Sequence, residues 1–356
     1  MAPLVGLTEY PRWWWALLQS LVLVALGVLM SRPPGALELR NSMLLAWCLA
    51  AASLPIAYYT TQIFPEILAG ALLVIFLQGL LADRWHPGYV LLLIAGLWAT
   101  PRVAPAVAVA SLVIFSPWFG ARWLHRGLLT VGWIGFVLTN LLTWGLWLPP
   151  MGDSFLTHFL GRLDGVWLLR LVSGLLRALF ASDLGLFMLG PIFSVGFVAL
   201  IHNACRTRAR ADLLALLIFG ATLTGIALYS DYRAGTCPAG RYQVVPALIL
   251  AWSCVRMGAV GSPTWRRRWW IALLCWGGAG LAITCSVATH ANWWFRDYHP
   301  AFGRKALQPY YEWLPSFAAG IPWGAILIWV VILAAPWFAY DILRLLRQCM
   351  MRKRLQ

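Results

Sequence analysis

Apolar residues along this chain run without a break over lengths that water-soluble helices rarely reach. The clearest stretches cover residues 13–30, 127–148, 211–229, 242–260, 269–289 and 317–340. Shorter or proline-broken ones cover 43–58, 67–81, 88–100, 103–115 and 184–201. A hydrocarbon core about 30 Å thick takes about 20 apolar residues per helical span. The pattern therefore predicts an all-α, polytopic transmembrane bundle of eleven spans, a single membrane domain over residues 1–356. Residues 88–115 are the open point of the count, because Pro101 and Arg102 interrupt them and one bent helix would also fit. The runs lack strand-like alternation, which excludes a barrel. The first span lacks a basic start followed by a small-residue cleavage site, so it reads as part of the mature protein and not as a signal peptide.

Composition strengthens this picture and charge gives it a direction. Hydrophobic residues make up 61% of the chain and charged residues 11%, against about 25% charged in an average soluble domain. The net charge of +15 is unevenly spread. In the eleven-span reading, one set of loops carries 17 basic and 4 acidic residues, and the other carries 10 basic and 8 acidic. The first set includes Arg40, Arg84, Arg122, Arg126, Arg206, Arg208, Arg210, Arg256, Arg266 to Arg268 and the basic C-terminus. By the positive-inside rule that side is cytoplasmic, which puts the N-terminus outside, and the expected location is a bacterial plasma membrane. Arginines flanking helices in this way set orientation and meet anionic lipid head groups, so nucleic acid is not an expected partner. The 23 tryptophans gather at span ends, as an interfacial belt does. Of seven cysteines only Cys237 falls in an external loop, and none shows metal-ligand spacing.

Three external loops exceed what a connector needs, and function concentrates on such loops. In residues 149–183, Phe155, Phe159, Leu163, Trp167, Leu171, Leu175 and Leu179 recur at helical spacing, with His158, Arg162, Arg170 and Arg177 on the other side. This predicts a helix lying in the interface, either a plain amphipathic connector or a platform for a lipid-linked anion. Residues 230–241 combine Gly and Pro turns with Asp231, Arg233 and Arg241, the last at the lip of an apolar span. A guanidinium fork there suits phosphate oxygens, although Arg241 would equally well snorkel. Residues 291–316 mix Trp293, Trp294, Arg296, Asp297, Tyr298, His299 and Glu312, the mixture of a polar cavity or of a solvated loop. Glu66 stands at the external start of a span, where the helix dipole favours a carboxylate and where an ionisable group is also a functional candidate.

Several pieces in order resemble the GT-C type of membrane glycosyltransferases. They are Tyr58-Tyr59-Thr60-Thr61-Gln62-Ile63-Phe64-Pro65-Glu66, the Pro101-Arg102 break, Asp183-Leu184-Gly185-Leu186-Phe187 leading to Pro191, and Pro238-Ala239-Gly240-Arg241-Tyr242 leading to Pro246. The resemblance implies transfer of a sugar from a polyprenyl-phosphate donor to an acceptor on the outer face. It puts Glu66 and Gln62 in the acceptor or sugar cavity and turns Arg241 with Tyr242 to the donor phosphate. A carboxylate suits deprotonation of an acceptor hydroxyl, and arginines suit charge developing on a leaving phosphate. The family's principal acidic motif, in a large loop after a first helix, has no counterpart, since the only acid before Trp13 is Glu9. The expectation is a form lacking that helix and loop, inactive or with Glu66 or Asp297 supplying the base. The candidate catalytic residues are thus Glu66 and Asp297, and the candidate substrate-binding residues are Gln62, Arg102, Arg233, Arg241, Tyr242 and His299. No cofactor is required by this reading, and it leaves a divalent metal open. The expected partners are a lipid-linked sugar donor, anionic lipids and a second membrane protein. Two rival expectations are a non-catalytic scaffold subunit, favoured by the missing acidic loop, and a lipid flippase or transporter, for which the repeat symmetry and midplane charges are lacking.

Overall fold

A computed structural model describes residues 11–31, 37–60, 65–82, 86–117, 121–146, 167–181, 185–228, 241–289 and 321–354. Every regular element among them is helical, so the all-α expectation holds. In chain order the helices are α1 (Pro11–Met30), α2 (Leu37–Ala51), α3 (Ile56–Tyr59), α4 (Glu66–Leu81), α5 (Pro87–Ala99), α6 (Ala104–Phe115) and α7 (Trp123–Trp144). There follow α8 (Trp167–Phe180), α9 (Leu186–Leu189), α10 (Ile192–Thr207), α11 (Arg210–Leu228), α12 (Val244–Val260), α13 (Pro263–Thr289) and α14 (Trp323–Arg354). Short 3-10 turns, Pro101–Val103 and Arg241–Gln243, introduce α6 and α12. Four helices are long and apolar enough to cross a membrane: Trp123–Trp144, Arg210–Ala227, Pro263–Ser286 and Trp323–Ile342. The other apolar helices are shorter, 10–17 residues.

The break at Pro101 resolves the stretch that was open in the sequence. Proline disfavours helical backbone in the residue before it. Thr100 is accordingly extended, at φ −154° and ψ 125°, and α5 and α6 are separate helices joined by the 3-10 turn. At the far end of α7 the chain leaves the helix through Gly145, whose φ of +67° is the left-handed conformation glycine supplies at a helix C-terminus.

Helix composition sorts the elements into layers. α4 and α12 are apolar on all sides and sit in the middle, α12 with residues Val244 to Val255 all buried. α12 packs against α10, α2 and α4. The approach of α10 to α12 is close enough that a Cβ built on Gly196 would lie 2.6 Å from the Leu250 carbonyl oxygen, and small residues permit such contacts between apolar helices. α7 and α14 lie at the edge. Their outer faces expose Val131, Ile134, Leu142, Leu327, Val331 and Phe338, an apolar surface that hydrocarbon would solvate and water would not.

Of residues 149–183, where an amphipathic helix is expected, Trp167–Phe180 form α8, the most amphipathic of the described helices. It packs along α11, where a Cβ on Gly174 would meet the Ala227 carbonyl oxygen at 2.4 Å, and it leaves Trp167, Leu168, Leu169 and Arg170 exposed. Phe155, His158, Phe159, Arg162 and Leu163 lie outside the described residues.

Candidate functional site

Three of the candidates singled out from sequence meet at one end of the bundle. Glu66 is the first residue of α4, behind Pro65, and is 2% exposed. The N-terminal end of a helix favours its charge, but a buried carboxylate is costly unless a cation answers it. That cation is Arg102. α4 and α5 are packed neighbours joined by a short connection, so the turn after α5 returns to the level at which α4 begins. There the Arg102 Nη1 donates to the Glu66 Oε1.

The third member comes from much further along the chain. Tyr242 lies on the 3-10 turn that opens α12, and α12 packs against α4. The Arg102 guanidinium carbon sits 4.6 Å from the centroid of the Tyr242 ring, a cation–π contact. The guanidinium is thus held on one side by a charge and on one face by a ring. Its side chain remains 20% exposed.

The next residue, Gln243, anchors the turn. It is buried, and its Nε2 donates to the Ala178 carbonyl oxygen at 3.0 Å, linking the start of α12 to the last turn of α8. The amphipathic helix is therefore tied to the residue adjacent to Tyr242. Gln243 is not among the residues that the sequence pattern singles out. The available signal was its position directly between a polar loop and an apolar span, where an uncharged amide is buried and needs a partner.

Of the remaining candidates, Arg241 contributes its backbone to the same 3-10 turn, and its side chain lies outside what is described. Gln62, Arg233, Asp297 and His299 also lie outside the described residues. No group of three His, Cys, Asp or Glu side chains able to hold a metal occurs among the described residues.

The other end of the bundle holds different ion pairs. Asp212, fully buried in the first turn of α11, accepts from Arg256 of α12 through both carboxylate oxygens, the Nη2–Oδ2 bond measuring 2.7 Å. The Thr207 hydroxyl at the end of α10 donates to the same Oδ2 at 2.5 Å. Arg268 of α13 pairs with Asp341 of α14 at 2.8 Å. Glu66 and Arg102 belong to one side of the sequence charge count, and Asp212, Arg256, Arg268 and Asp341 to the other. None of these three ion pairs joins the two sides.

Asp212–Arg256 reads as a structural clamp, since it closes on itself and joins three helix ends. Glu66–Arg102–Tyr242 leaves its arginine side chain more exposed, 20% against 12% for Arg256. No protein-family model matches the chain, and no curated protein or solved structure matches it either.

Proposed function

We propose that this chain is a multi-pass membrane protein of the GT-C glycosyltransferase kind, acting on a polyprenyl-phosphate sugar at the outer face of a bacterial plasma membrane. In this reading the ten apolar helices in or near the length of a span, together with the stretch at 43–58 that α2 enters, make eleven crossings. The Glu66 end of the bundle is external and the Asp212 end cytoplasmic.

One observation supports it above the others. The carboxylate that the resemblance assigns to the acceptor and the turn that it assigns to the donor phosphate are distant in sequence, yet Arg102 touches Glu66 and Tyr242 together. Glycosyl transfer needs this proximity, because the base on the acceptor and the cation on the leaving phosphate act on two ends of one reacting centre. The tie from Gln243 to α8 adds a route. A lipid-linked donor lying along an interfacial helix would arrive at the residues that hold its phosphate.

The test is direct. Protein reconstituted in nanodiscs is incubated with a panel of polyprenyl-phosphate sugars, and the expected outcome is transfer or hydrolysis of at least one, lost in Glu66→Gln. Absence of turnover across the panel, in protein that remains folded, would overturn the assignment.

A further inference from the structure

Helix α14 packs mainly on α13, and the ties along that seam change character from its middle to the Asp212 end of the bundle. In the middle they suit hydrocarbon: the Trp276 Nε1 donates to the Leu333 carbonyl oxygen at 3.0 Å. Further along, the rings of Trp265 and Trp337 meet edge to face with centroids 5.7 Å apart, and Trp265 also lies against His202 of α10 at 4.5 Å. Beyond these rings the seam turns polar. Arg266, Arg267 and Arg268 occupy the first two turns of α13, and Tyr340, Asp341 and Arg344 face them from α14 or stand one turn further on.

The charges in this polar end do not balance. Asp341 is taken by Arg268, while Arg267 and Arg344, both exposed, belong to none of the three ion pairs. The Arg267 Nη1 donates to the Tyr340 hydroxyl oxygen at 3.1 Å, a neutral partner, which leaves the tyrosyl O–H as a donor for another group. A guanidinium fork beside a hydroxyl donor suits phosphate oxygens. Arg344 lies four residues past Tyr340 on the same face of α14, about 6 Å along the axis, so a second cation follows the first at short range. The surroundings say where that phosphate comes from. Trp265, Trp337 and Tyr340 mark head-group depth, and Leu274, Phe338 and Ile342 expose apolar surface beside the seam on which acyl chains would lie.

We propose that the polar end of the α13–α14 seam binds one anionic phospholipid whose head group carries two phosphates, one held by Arg267 with the Tyr340 hydroxyl and the other by Arg344. Cationic pockets between membrane helices take such head groups, and a single phosphate would answer only one of the two cations. Because one cation stands on each helix, the bound lipid fastens α14 to α13. The site lies at the end of the bundle away from Glu66, so it is independent of the glycosyl-transfer reading and requires only that the chain sits in a bilayer.

The experiment titrates full-length, delipidated protein in detergent with cardiolipin, phosphatidylglycerol, phosphatidylcholine and inorganic phosphate as separate arms. Native mass spectrometry counts bound lipid, and the unfolding temperature is followed in parallel. Wild-type protein is expected to retain one cardiolipin roughly tenfold more tightly than phosphatidylglycerol, and to unfold at a higher temperature once it is bound. The double variant Arg267→Gln with Arg344→Gln changes two exposed side chains and should bind cardiolipin about tenfold more weakly, with the rise in unfolding temperature lost. Tyr340→Phe should weaken binding severalfold. Arg122→Gln removes an exposed arginine from the start of α7, away from the seam, and should leave binding unchanged. Equal loss in Arg122→Gln would mean diffuse attraction between charges and overturn the site, as would unchanged binding in the double variant. Phosphatidylglycerol binding as tightly as cardiolipin would overturn the requirement for two phosphates, and inorganic phosphate giving the same rise in unfolding temperature would overturn the lipid.

Discussion

Arg102 lies against the ring of Tyr242, with its guanidinium carbon 4.6 Å from the ring centroid, although 140 positions separate the two in the chain. The contact is possible because α4 packs against both α5 and α12, so the turn after α5 and the turn before α12 open at the same end of the bundle. A single cation thereby reads the position of two helix ends, Glu66 on one and Tyr242 on the other.

That double contact separates the ring from the hydroxyl. Tyr242→Phe keeps the π face and should leave binding of undecaprenyl phosphate within a factor of about two, while Tyr242→Leu should weaken it by a factor equivalent to about 0.5–1 kcal/mol. Titration of the lipid phosphate in nanodiscs checks both. Equal behaviour of the two variants would show that the ring plays no part in holding Arg102.

At the other end, Asp212 is fully buried and its partner Arg256 nearly so. Breaking such a pair leaves a stranded charge, so Asp212→Ala should cost about 3–5 kcal/mol, whereas the double replacement Asp212→Leu with Arg256→Met should recover much of the loss. Thermal unfolding in detergent, followed by helical circular dichroism, gives the comparison. A double variant no more stable than the single would mean that the pair does more than satisfy its own charges.

Packing between α10 and α12 makes a sharper demand at Gly196. Any Cβ there would press on the Leu250 backbone, so Gly196→Val should destabilise by about 1–3 kcal/mol or more. Gly278 in α13 has nothing within 4 Å of the same position. Gly278→Ala should therefore be neutral or stabilise by about 0.5–1 kcal/mol through helix propensity. Unfolding temperatures of the two variants in one detergent settle the contrast.

Orientation can be read from cysteines. Cys205 is exposed near the C-terminus of α10, next to the start of α11 where Asp212 sits, and Cys237 lies in the loop that charge puts outside. In single-cysteine variants, a membrane-impermeant maleimide applied to intact cells should label Cys237 and spare Cys205, with Cys205 labelled once inverted vesicles are used. The reverse pattern would invert the topology and move Glu66 to the cytoplasmic side.

Much of the architecture was legible in the order of residues. A hydrocarbon solvent leaves apolar length as the main requirement on each helix, so long apolar runs announce α7, α11, α13 and α14 directly, and Pro101 announces the break between α5 and α6. The amphipathic α8 was equally readable, because its cationic and apolar residues alternate at a period that only a helix presents on two faces. The charge imbalance between loops likewise separates Glu66 and Arg102 from Asp212 and Arg256, and the two pairs lie at different ends of the bundle.

Partnership was not legible. Glu66, Arg102 and Tyr242 could each be named as polar residues at span ends, but nothing in their spacing says that they touch, since apolar helices carry no periodic mark of which neighbour they choose. That choice belongs to close packing, where Gly196 lets α10 reach the backbone of α12 and the all-round apolar α4 fills the centre. The sequence by itself determined that the chain is built of apolar helices and that Glu66 and Arg102 stand apart from Asp212 and Arg256. Only the tertiary structure decided which charges meet, because pairing depends on the lateral arrangement of helices, and that is set by side-chain shape and not by hydropathy.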